Sequence, residues 1–216
     1  MAEIYLSPSS QTENSYAYGG TNEAAQCMRI AQACAAALDR CGFEVKVGGG
    51  TMYTRVPESN AWGAALHVPI HTNAANGQVT GTRCFCFDGS GDGFRAAKAI
   101  FDVLAPVTPG TSESVTANPT LYEIKGTVAP CAYVECEFHD NPDTAKWIIE
   151  HVKEIGEAIA HGICNFFGAA YIAEEAEEAP APQTLYRVQA GAFARRENAE
   201  ALVAQLKAAG FDAIIK

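Results

Sequence analysis

The 216-residue sequence has no apolar run that approaches the roughly 20 residues required by a membrane-spanning helix. Its first residues, MAEIYLSPSS, include neither a basic segment nor a long apolar segment, so we predict no secretory signal. Basic side chains are scarce, because 15 Lys and Arg stand against 25 Asp and Glu. The resulting net charge of −10 argues against nucleic acid as a partner. These absences indicate a globular protein that neither inserts into a membrane nor binds nucleic acid.

Eight cysteines are spread along the chain, and none of them forms the C-x-x-C spacing of a zinc knuckle or a redox motif. Cys27, Cys34 and Cys41 recur every seven residues within one apparent helix. Because that spacing is typical of a buried stripe, we interpret these thiols as small hydrophobic side chains that remain reduced. We therefore expect the cysteines to be structural.

Short apolar runs alternate with longer amphipathic runs from the amino terminus to about residue 168. The clearest helix has apolar residues in 3,4 spacing from Cys27 to Cys41, and another extends from Asn141 to about Phe167. Shorter helices are predicted at Ser59–Ala65 and Gly93–Leu104. Strands are predicted at Ile4–Leu6, at Phe43–Val47, up to His71, at Arg83–Phe87 and at Pro130–Glu137. This order predicts an α/β fold, with a mostly parallel or mixed central sheet flanked by helices on both faces.

The composition changes after this main unit, which we assign to residues 1–170. Residues 171–183 include EEAEEAPAP, and such a run of acidic residues, alanine and proline is typical of a solvated linker. Residues 184–216 then show a strand pattern at Leu185–Phe193, a helix pattern at Ala199–Ala209 and a second strand pattern at Phe211–Ile215. We predict a small βαβ fragment there, which buries little by itself.

The segment LHVPIHTNA, residues 66–74, predicts a buried strand that ends on His71. In open α/β sheets the end of a strand points into the crevice that binds ligands. Imidazole is also the commonest metal ligand in proteins. His71 is therefore either a hydrogen-bonded histidine at the end of a strand or a ligand to a metal.

Acidic residues occur at two further positions of interest. Glu23 lies in the first turn of the first long helix, where it either complements the helix dipole or binds a ligand. Glu135 and Glu137 are two residues apart on a predicted strand, and so share one face. Because an unpaired buried charge is costly, one or both should reach a metal, a basic partner or an open crevice. His139-Asp140-Asn141 follows as a helix-capping turn that could also contribute to a site.

Together these motifs resemble a known family. The polar loop after the first strand, the glutamate at the start of the first helix, the I-H-T-N-A motif at 70–74 and the V-E-C-E-F-H-D-N motif at 134–141 are similar to those of the zinc-dependent N-acetylmuramoyl-L-alanine amidases of the Amidase_3 group. The resemblance covers about residues 3–168. It implies a mixed α/β fold and hydrolysis of the amide that joins N-acetylmuramic acid to L-alanine in peptidoglycan.

The resemblance also implies roles for individual residues. Glu23 and His71 would be zinc ligands, and Glu135 would be the catalytic carboxylate that moves protons between water and the departing amine. Zn²⁺ would be the cofactor, and the muramoyl peptide of peptidoglycan the substrate. Asn73 and Asn141, the asparagines of the two motifs, are expected to bind that substrate.

One position departs from the family pattern. The family has a first zinc ligand, a histidine, in a glycine-rich loop directly after the first strand, whereas this loop reads SPSSQ at residues 7–11. Ser10 falls nearest the missing histidine. Gln11 could offer an amide oxygen, which is a weak donor to zinc, and His139 is a further alternative. We favour Gln11, whereas His67 should lie too far from His71 along the strand to share an ion.

The carboxyl-terminal fragment resembles the opening half of a SPOR domain, a small peptidoglycan-binding module. The residues that carry this likeness are LYRVQAGAF, from 185, and the following NAEAL. Because the second half is missing, the fragment is either a vestige, a flexible segment or a unit that needs a second copy to complete its sheet.

Two other functions compete with that of a zinc amidase. Without its first ligand the fold could be a binding module that only recognises wall fragments. Alternatively, Glu135 and Glu137 could be the acid/base pair of a metal-free glycosidase, since alternate strand residues lie about 7 Å apart. For an amidase without a signal we expect a cytoplasmic location until release to the cell wall by lysis, through a phage pore or from a mother cell, as for endolysins and autolysins.

Overall fold

The computed structural model describes residues 2–174 and 188–215, and these fall into two units divided between Glu174 and Glu175. The first unit is built around one sheet. Its strands are β1 (Glu3–Pro8), β2 (Glu44–Val47), β3 (Leu66–Asn73), β4 (Arg83–Cys86), β5 (Ser114–Ala117) and β6 (Tyr133–Phe138). Its helices are α1 (Glu23–Arg40), α2 (Met52–Trp62), α3 (Gly91–Leu104), α4 (Tyr122–Gly126), α5 (Pro142–Glu150) and α6 (Val152–Phe167).

The strands of this sheet lie in the order β2-β1-β3-β6-β4-β5. The first four are parallel to one another, whereas β4 runs antiparallel to β6 and β5 runs parallel to β4. The sheet is therefore mixed, which confirms the predicted fold class. The register between β3 and β6 shifts between His71 and Asn73, so the pairing is irregular where these two strands end.

One face of the sheet carries the main hydrophobic core. Alternate residues of β1 and β3, among them Leu6 and Ile70, pack there against the buried faces of α1, α3 and α6. Two glycines let α6 approach its neighbours closely. A Cβ on Gly156 would lie 2.7 Å from the backbone nitrogen of Cys34 in α1, and one on Gly162 would lie 2.4 Å from the Cα of Ile100 in α3. Backbone therefore packs on backbone at both contacts.

The opposite face of the sheet carries polar side chains as well as a smaller apolar cluster. Tyr5 and Ser7 point to this face from β1, where Tyr5 donates a hydrogen bond to Glu58 of α2 and Ser7 donates one to Glu123 of α4. The apolar cluster consists of Ile124, Cys131 and Tyr133, with Phe85 and Leu121 packed against it. Helices α2 and α4 thus cover the side of the sheet that the core helices do not, as predicted.

Several elements differ from those predicted. The helix expected at Ser59–Ala65 is α2, which begins at Met52 and contains Pro57, a residue more typical of a first turn. The long helix after Asn141 divides into α5 and α6 at His151, whose ψ of 23° is not helical. The strand β5 and the five-residue helix α4 were not predicted, because elements so short have no detectable periodicity.

The second unit departs from the predicted βαβ fragment. Residues 188–215 form one helix, α7 (Arg196–Ala208), and no strand, so the strands expected at Leu185–Phe193 and Phe211–Ile215 were wrong for the residues described. None of the residues in α7 is buried. An isolated pair of strands gains too little from burial to be stable, and the described residues of this unit, 188–215, offer no other strand for them to pair with. Most of the predicted linker, residues 175–183, lies outside the described part of the chain.

Two of the three cysteines spaced by seven residues lie in the core, whereas Cys41 is partly exposed. Cys27 and Cys34 are fully buried on α1, and all eight cysteines, each within the described ranges, carry free thiols. Across residues 2–174 and 188–215, no helix is both long enough and apolar enough to cross a membrane.

Candidate active site

His71 lies near the carboxyl end of β3, on the sheet face opposite the main core. Its side chain is buried, with 6% of the residue exposed, and its ring stacks on that of Tyr133 at a centroid distance of 4.7 Å. Tyr133 belongs to the neighbouring strand β6, which pairs in parallel with β3. The imidazole is therefore held on one side by an aromatic ring and has its two nitrogens available to neighbours in the plane.

Glu23 reaches His71 from the first turn of α1. Asn22 caps this helix by accepting a hydrogen bond from the backbone nitrogen of Ala25 at 2.9 Å. Glu23 is 1% exposed, and its Oε1 lies 2.8 Å from Nδ1 of His71. Burial alone would raise the pKa of Glu23, but the interactions with His71 and the hydrogen bonds of Asn14 and Ser9 together outweigh burial and hold this pKa below its usual value. The sequence prediction that these two residues converge agrees with this geometry.

Gln11 lies beside this pair, and Asn14 joins the two. The Nδ2 atom of Asn14 donates hydrogen bonds of 2.6 Å to Oε1 of Gln11 and to Oε2 of Glu23. Ser10, the other candidate from this loop, is exposed. His139 is engaged elsewhere, since its Nδ1 lies 2.9 Å from the carbonyl oxygen of Thr72. Of the three candidates for a third ligand, Gln11 is the one that shares a hydrogen-bonded neighbour with Glu23.

Glu135 occupies the β6 position that is paired with His71 on one side and with Arg83 of β4 on the other. Its Oε2 is buried and has no hydrogen-bond partner among the residues that the structure describes. Burial raises the pKa of Glu135 to about 7, against the opposing effect of His71. A carboxylate with a free oxygen and a pKa near neutrality is suited to accept and return a proton.

Glu137 has a structural role that separates it from Glu135. It is fully buried, and its Oε2 accepts the backbone N–H groups of Gly81 at 2.6 Å and of Phe138 at 2.8 Å. A Cβ on Gly110 would lie 2.2 Å from Oε1 of Glu137. The carboxylate is therefore enclosed by the loops that contain Gly81 and Gly110. This geometry removes the second member of the acid/base pair that a glycosidase would need.

The two asparagines predicted to bind substrate lie near the ends of β3 and β6. Asn73 accepts a hydrogen bond at 2.8 Å from the backbone nitrogen of Ala74. Asn141 caps α5 by accepting the backbone N–H of Asp143 at 3.0 Å, and its Nδ2 donates to the carbonyl of Gly77. Asn141 therefore organises the loop and the helix start, and substrate binding by either residue stays a prediction.

The sequence analysis did not identify Glu123, which lies on the other side of His71. Its Oε2 is 3.7 Å from Nε2 of His71, and its Oε1 accepts a hydrogen bond from Ser7. Burial raises the pKa of Glu123, but its interactions with His67, His71 and Ser7 together outweigh burial and hold this pKa well below the usual range. The only signal in the sequence was an acidic residue within the apolar run LYEI.

The electrostatic surroundings of His71 favour a positive charge. Burial lowers the pKa of His71, but the nearby carboxylates of Glu123 and Glu23 together outweigh burial and raise the pKa to about 9. A divalent cation bound at one nitrogen of His71 would be favoured by the same negative surroundings, since metal binding displaces a proton from imidazole. Two carboxylates on either side of one imidazole thus form a pocket suited to either a proton or a metal ion.

The candidate donors fit a zinc ion with two strong ligands, His71 and Glu23, and one weak ligand, Gln11. Tetrahedral ligands at about 2.0 Å from zinc are about 3.3 Å apart, so the 2.8 Å gap between Glu23 and His71 would open by about 0.5 Å. Among the described residues, no group of three or more His, Cys, Asp and Glu side chains is arranged to hold a metal. The third ligand would therefore be a neutral oxygen, and Gln11, which shares Asn14 with Glu23, stays the prediction for it.

Two family profiles match different parts of the chain. The family profile of Amidase_3, N-acetylmuramoyl-L-alanine amidase, matches residues 4–165, and the SPOR domain profile matches residues 182–216. The chain is 31% identical over 165 residues to the N-acetylmuramoyl-L-alanine amidase CwlM of Bacillus licheniformis, covering 74% of this chain and 60% of that protein. It is 25% identical to the sporulation-specific N-acetylmuramoyl-L-alanine amidase of Bacillus subtilis, with the same shares covered. The chain thus spans about 60% of the length of these curated relatives.

The fold has solved counterparts. The catalytic domain of CwlV, an N-acetylmuramoyl-L-alanine amidase from Bacillus (Paenibacillus) polymyxa var. colistinus, superposes with a TM-score of 0.70 at 15% identity, covering 79% of this chain and all of that one. Cwp6 of Clostridium difficile also gives a TM-score of 0.70, at 22% identity, over 76% of this chain and 29% of that one. Because the Amidase_3 profile accounts for most of the sequence, the chain belongs to the N-acetylmuramoyl-L-alanine amidase family.

Proposed function

We propose that this protein hydrolyses the amide bond between N-acetylmuramic acid and L-alanine in peptidoglycan, with a zinc ion as its cofactor. The observation that carries the proposal is the convergence of three side chains. Glu23 lies 2.8 Å from His71, and Glu135 is paired with His71 across β3 and β6. Family membership supplies the substrate class, because the curated relatives bear the name of this activity.

In this proposal His71, Glu23 and Gln11 hold the zinc ion. A bound cation of this kind supplies Lewis acidity, which polarises the scissile carbonyl and lowers the pKa of water. Glu135 accepts a proton from the attacking water on its free Oε2 and returns it to the departing amine of L-alanine. Tyr133, stacked on His71, keeps the imidazole plane fixed during these steps.

The likeness of residues 182–216 to a SPOR domain supports peptidoglycan as the partner of the whole protein. We propose that the protein acts on the cell wall, which it reaches through lysis, through a phage pore or from a mother cell. The proposal needs neither nucleic acid nor insertion into a membrane. Asn73 and Asn141 remain the residues proposed to contact the muramoyl peptide.

The variant Glu135→Gln tests the proposed chemistry. It keeps the shape of the side chain and leaves His71 and Glu23 unchanged, so zinc content should stay at the wild-type level. Loss of the proton-transfer group should lower the rate by about 100-fold or more. The rate is measured from new amino-terminal L-alanine groups, labelled and identified by mass spectrometry after digestion of purified cell wall.

The matched control is Glu137→Gln, two residues along the same strand. Its carboxylate is bound by backbone N–H groups of Gly81 and Phe138, so the folded variant should cleave within about threefold of the wild-type rate. Wild-type cleavage by Glu135→Gln would contradict the assignment of the base. Release of reducing sugar instead of amino groups by the wild-type protein would contradict the proposed reaction.

A further inference from the structure

Glu123 is held in place by a buried network that the proposed zinc ligands do not explain. The network joins β1, α2, β3 and α4, because Arg55 donates a hydrogen bond of 2.7 Å to Ser7, and Ser7 donates to Oε1 of Glu123. Arg55 also lies 3.8 Å from this oxygen, and Nε2 of His67 lies 3.5 Å from it. All of these residues are at most 2% exposed. Removing charged groups from water is costly unless they are paired, and breaking a buried pair is therefore strongly destabilising. The partners of Glu123 thus hold its carboxylate in one position.

The other oxygen of Glu123 faces His71. Its Oε2 is 3.7 Å from Nε2 of His71, and this nitrogen is buried with no hydrogen-bond partner within the described part of the chain. A buried polar atom without a partner is destabilising. A movement of less than 1 Å would bring the two atoms within hydrogen-bond distance.

The two nitrogens of His71 therefore face different carboxylates. Nδ1 faces Glu23 at 2.8 Å, on the side where Asn14 and Gln11 lie. Nε2 faces Glu123, which is enclosed by the buried network. Neutral imidazole carries one proton, and a metal-binding histidine usually donates its remaining N–H to a carboxylate, which fixes the tautomer and the ring orientation.

We propose that Glu123 is a positioning residue that accepts the Nε2–H of His71, so that the lone pair of Nδ1 faces Glu23 and the cation site between them. This inference rests on the proposed function, because it assumes that His71 and Glu23 hold the zinc ion. It adds a residue from α4 that acts through His71 and touches neither zinc nor substrate.

The first test measures zinc affinity by competition with a chromophoric chelator in the variant Glu123→Gln. Loss of such a carboxylate should weaken zinc binding by about 10- to 100-fold while the stoichiometry stays at one ion per chain. The matched control is Glu157→Gln. It removes a partly buried carboxylate of α6 that lies 2.6 Å from Arg40 of α1. The control should bind zinc as the wild-type protein does. An affinity within twofold of wild type in folded Glu123→Gln would overturn the proposal.

The second test needs no variant, and so remains decisive if Glu123→Gln does not fold. Long-range ¹H–¹⁵N correlation spectra of the zinc-loaded wild-type protein report which nitrogen of each histidine carries the proton. The proposal predicts a proton on Nε2 of His71 and a metal-bound Nδ1. A proton on Nδ1, with zinc on Nε2, would overturn it, because Glu123 would then lie beside the metal.

These readouts separate the inference from the proposed function. Wild-type protein that binds zinc with the predicted tautomer but releases no amino-terminal L-alanine would contradict the proposed reaction and leave the role of Glu123 intact. Wild-type protein that cleaves peptidoglycan, together with an unchanged zinc affinity in Glu123→Gln, would overturn the role of Glu123 alone.

Discussion

Replacing Glu137 by alanine tests whether the two glutamates of β6 have different roles. The substitution removes the acceptor of the Gly81 and Phe138 N–H groups, which lie 2.6 and 2.8 Å from Oε2. A buried donor left without a partner costs about 1–3 kcal/mol. Two donors lose their partner, and removal of a buried carboxylate, whose burial is itself costly, offsets part of that loss. The free energy of unfolding should therefore fall by about 3 kcal/mol.

The assay is thermal and urea-induced unfolding of the metal-free protein. For a domain of this size, about 3 kcal/mol corresponds to a fall in Tm of roughly 6–12 °C. Glu137→Gln retains a side-chain oxygen that can accept, so it should lose about 1 kcal/mol. The control Glu150→Ala removes an exposed carboxylate 3.9 Å from Lys146 and should change stability by less than about 0.5 kcal/mol. A loss below about 0.5 kcal/mol in Glu137→Ala would refute the reasoning.

Further predictions concern packing, capping and the metal. Gly156→Ala should lower the free energy of unfolding by about 1–3 kcal/mol in urea titrations, because its Cβ would lie 2.7 Å from a backbone nitrogen of α1, and unchanged stability would contradict that contact. Asn141→Ala should cost about 1–2 kcal/mol by the same assay through loss of the α5 cap, and a loss below a few tenths would contradict it. Gln11→His should tighten zinc binding at least about tenfold in chelator competition, since a third strong donor replaces a weak one, whereas equal affinity would contradict the proposal that Gln11 is the third ligand. Zinc at about 100 times its Kd should stabilise the wild-type protein by about 2.7 kcal/mol in thermal unfolding, and His71→Ala should abolish that gain.

The fold could largely be predicted because its main elements have regular patterns. The 3,4 spacing of apolar residues in α1 and α6, and the apolar run of β3, follow from periodicities that a sequence displays directly. The strand β5 and the helix α4 have four and five residues, which is too few for a periodic signal. Their positions depend on contacts with distant parts of the chain.

The site could be predicted in part for the same reason. The proximity of His71 and Glu23 could be predicted because His71 lies near the end of an apolar strand, and because the family resemblance drew attention to Glu23 at the start of the first helix. The roles of Glu137 and Glu123 depend on partners far away in sequence. Glu137 binds the N–H of Gly81, 56 residues away, and Glu123 meets Ser7, 116 residues away. Nothing local to either glutamate distinguishes a structural carboxylate from a functional one.

The central claim is that one cation binds where His71 and Glu23 converge, beside Glu135. Anomalous diffraction from crystals of the zinc-loaded protein, recorded on both sides of the zinc absorption edge, tests it most directly. The account predicts a single zinc peak within about 2.0–2.2 Å of Nδ1 of His71 and of a carboxylate oxygen of Glu23. A zinc peak elsewhere, or none at this pair in crystals grown with excess zinc, would contradict it.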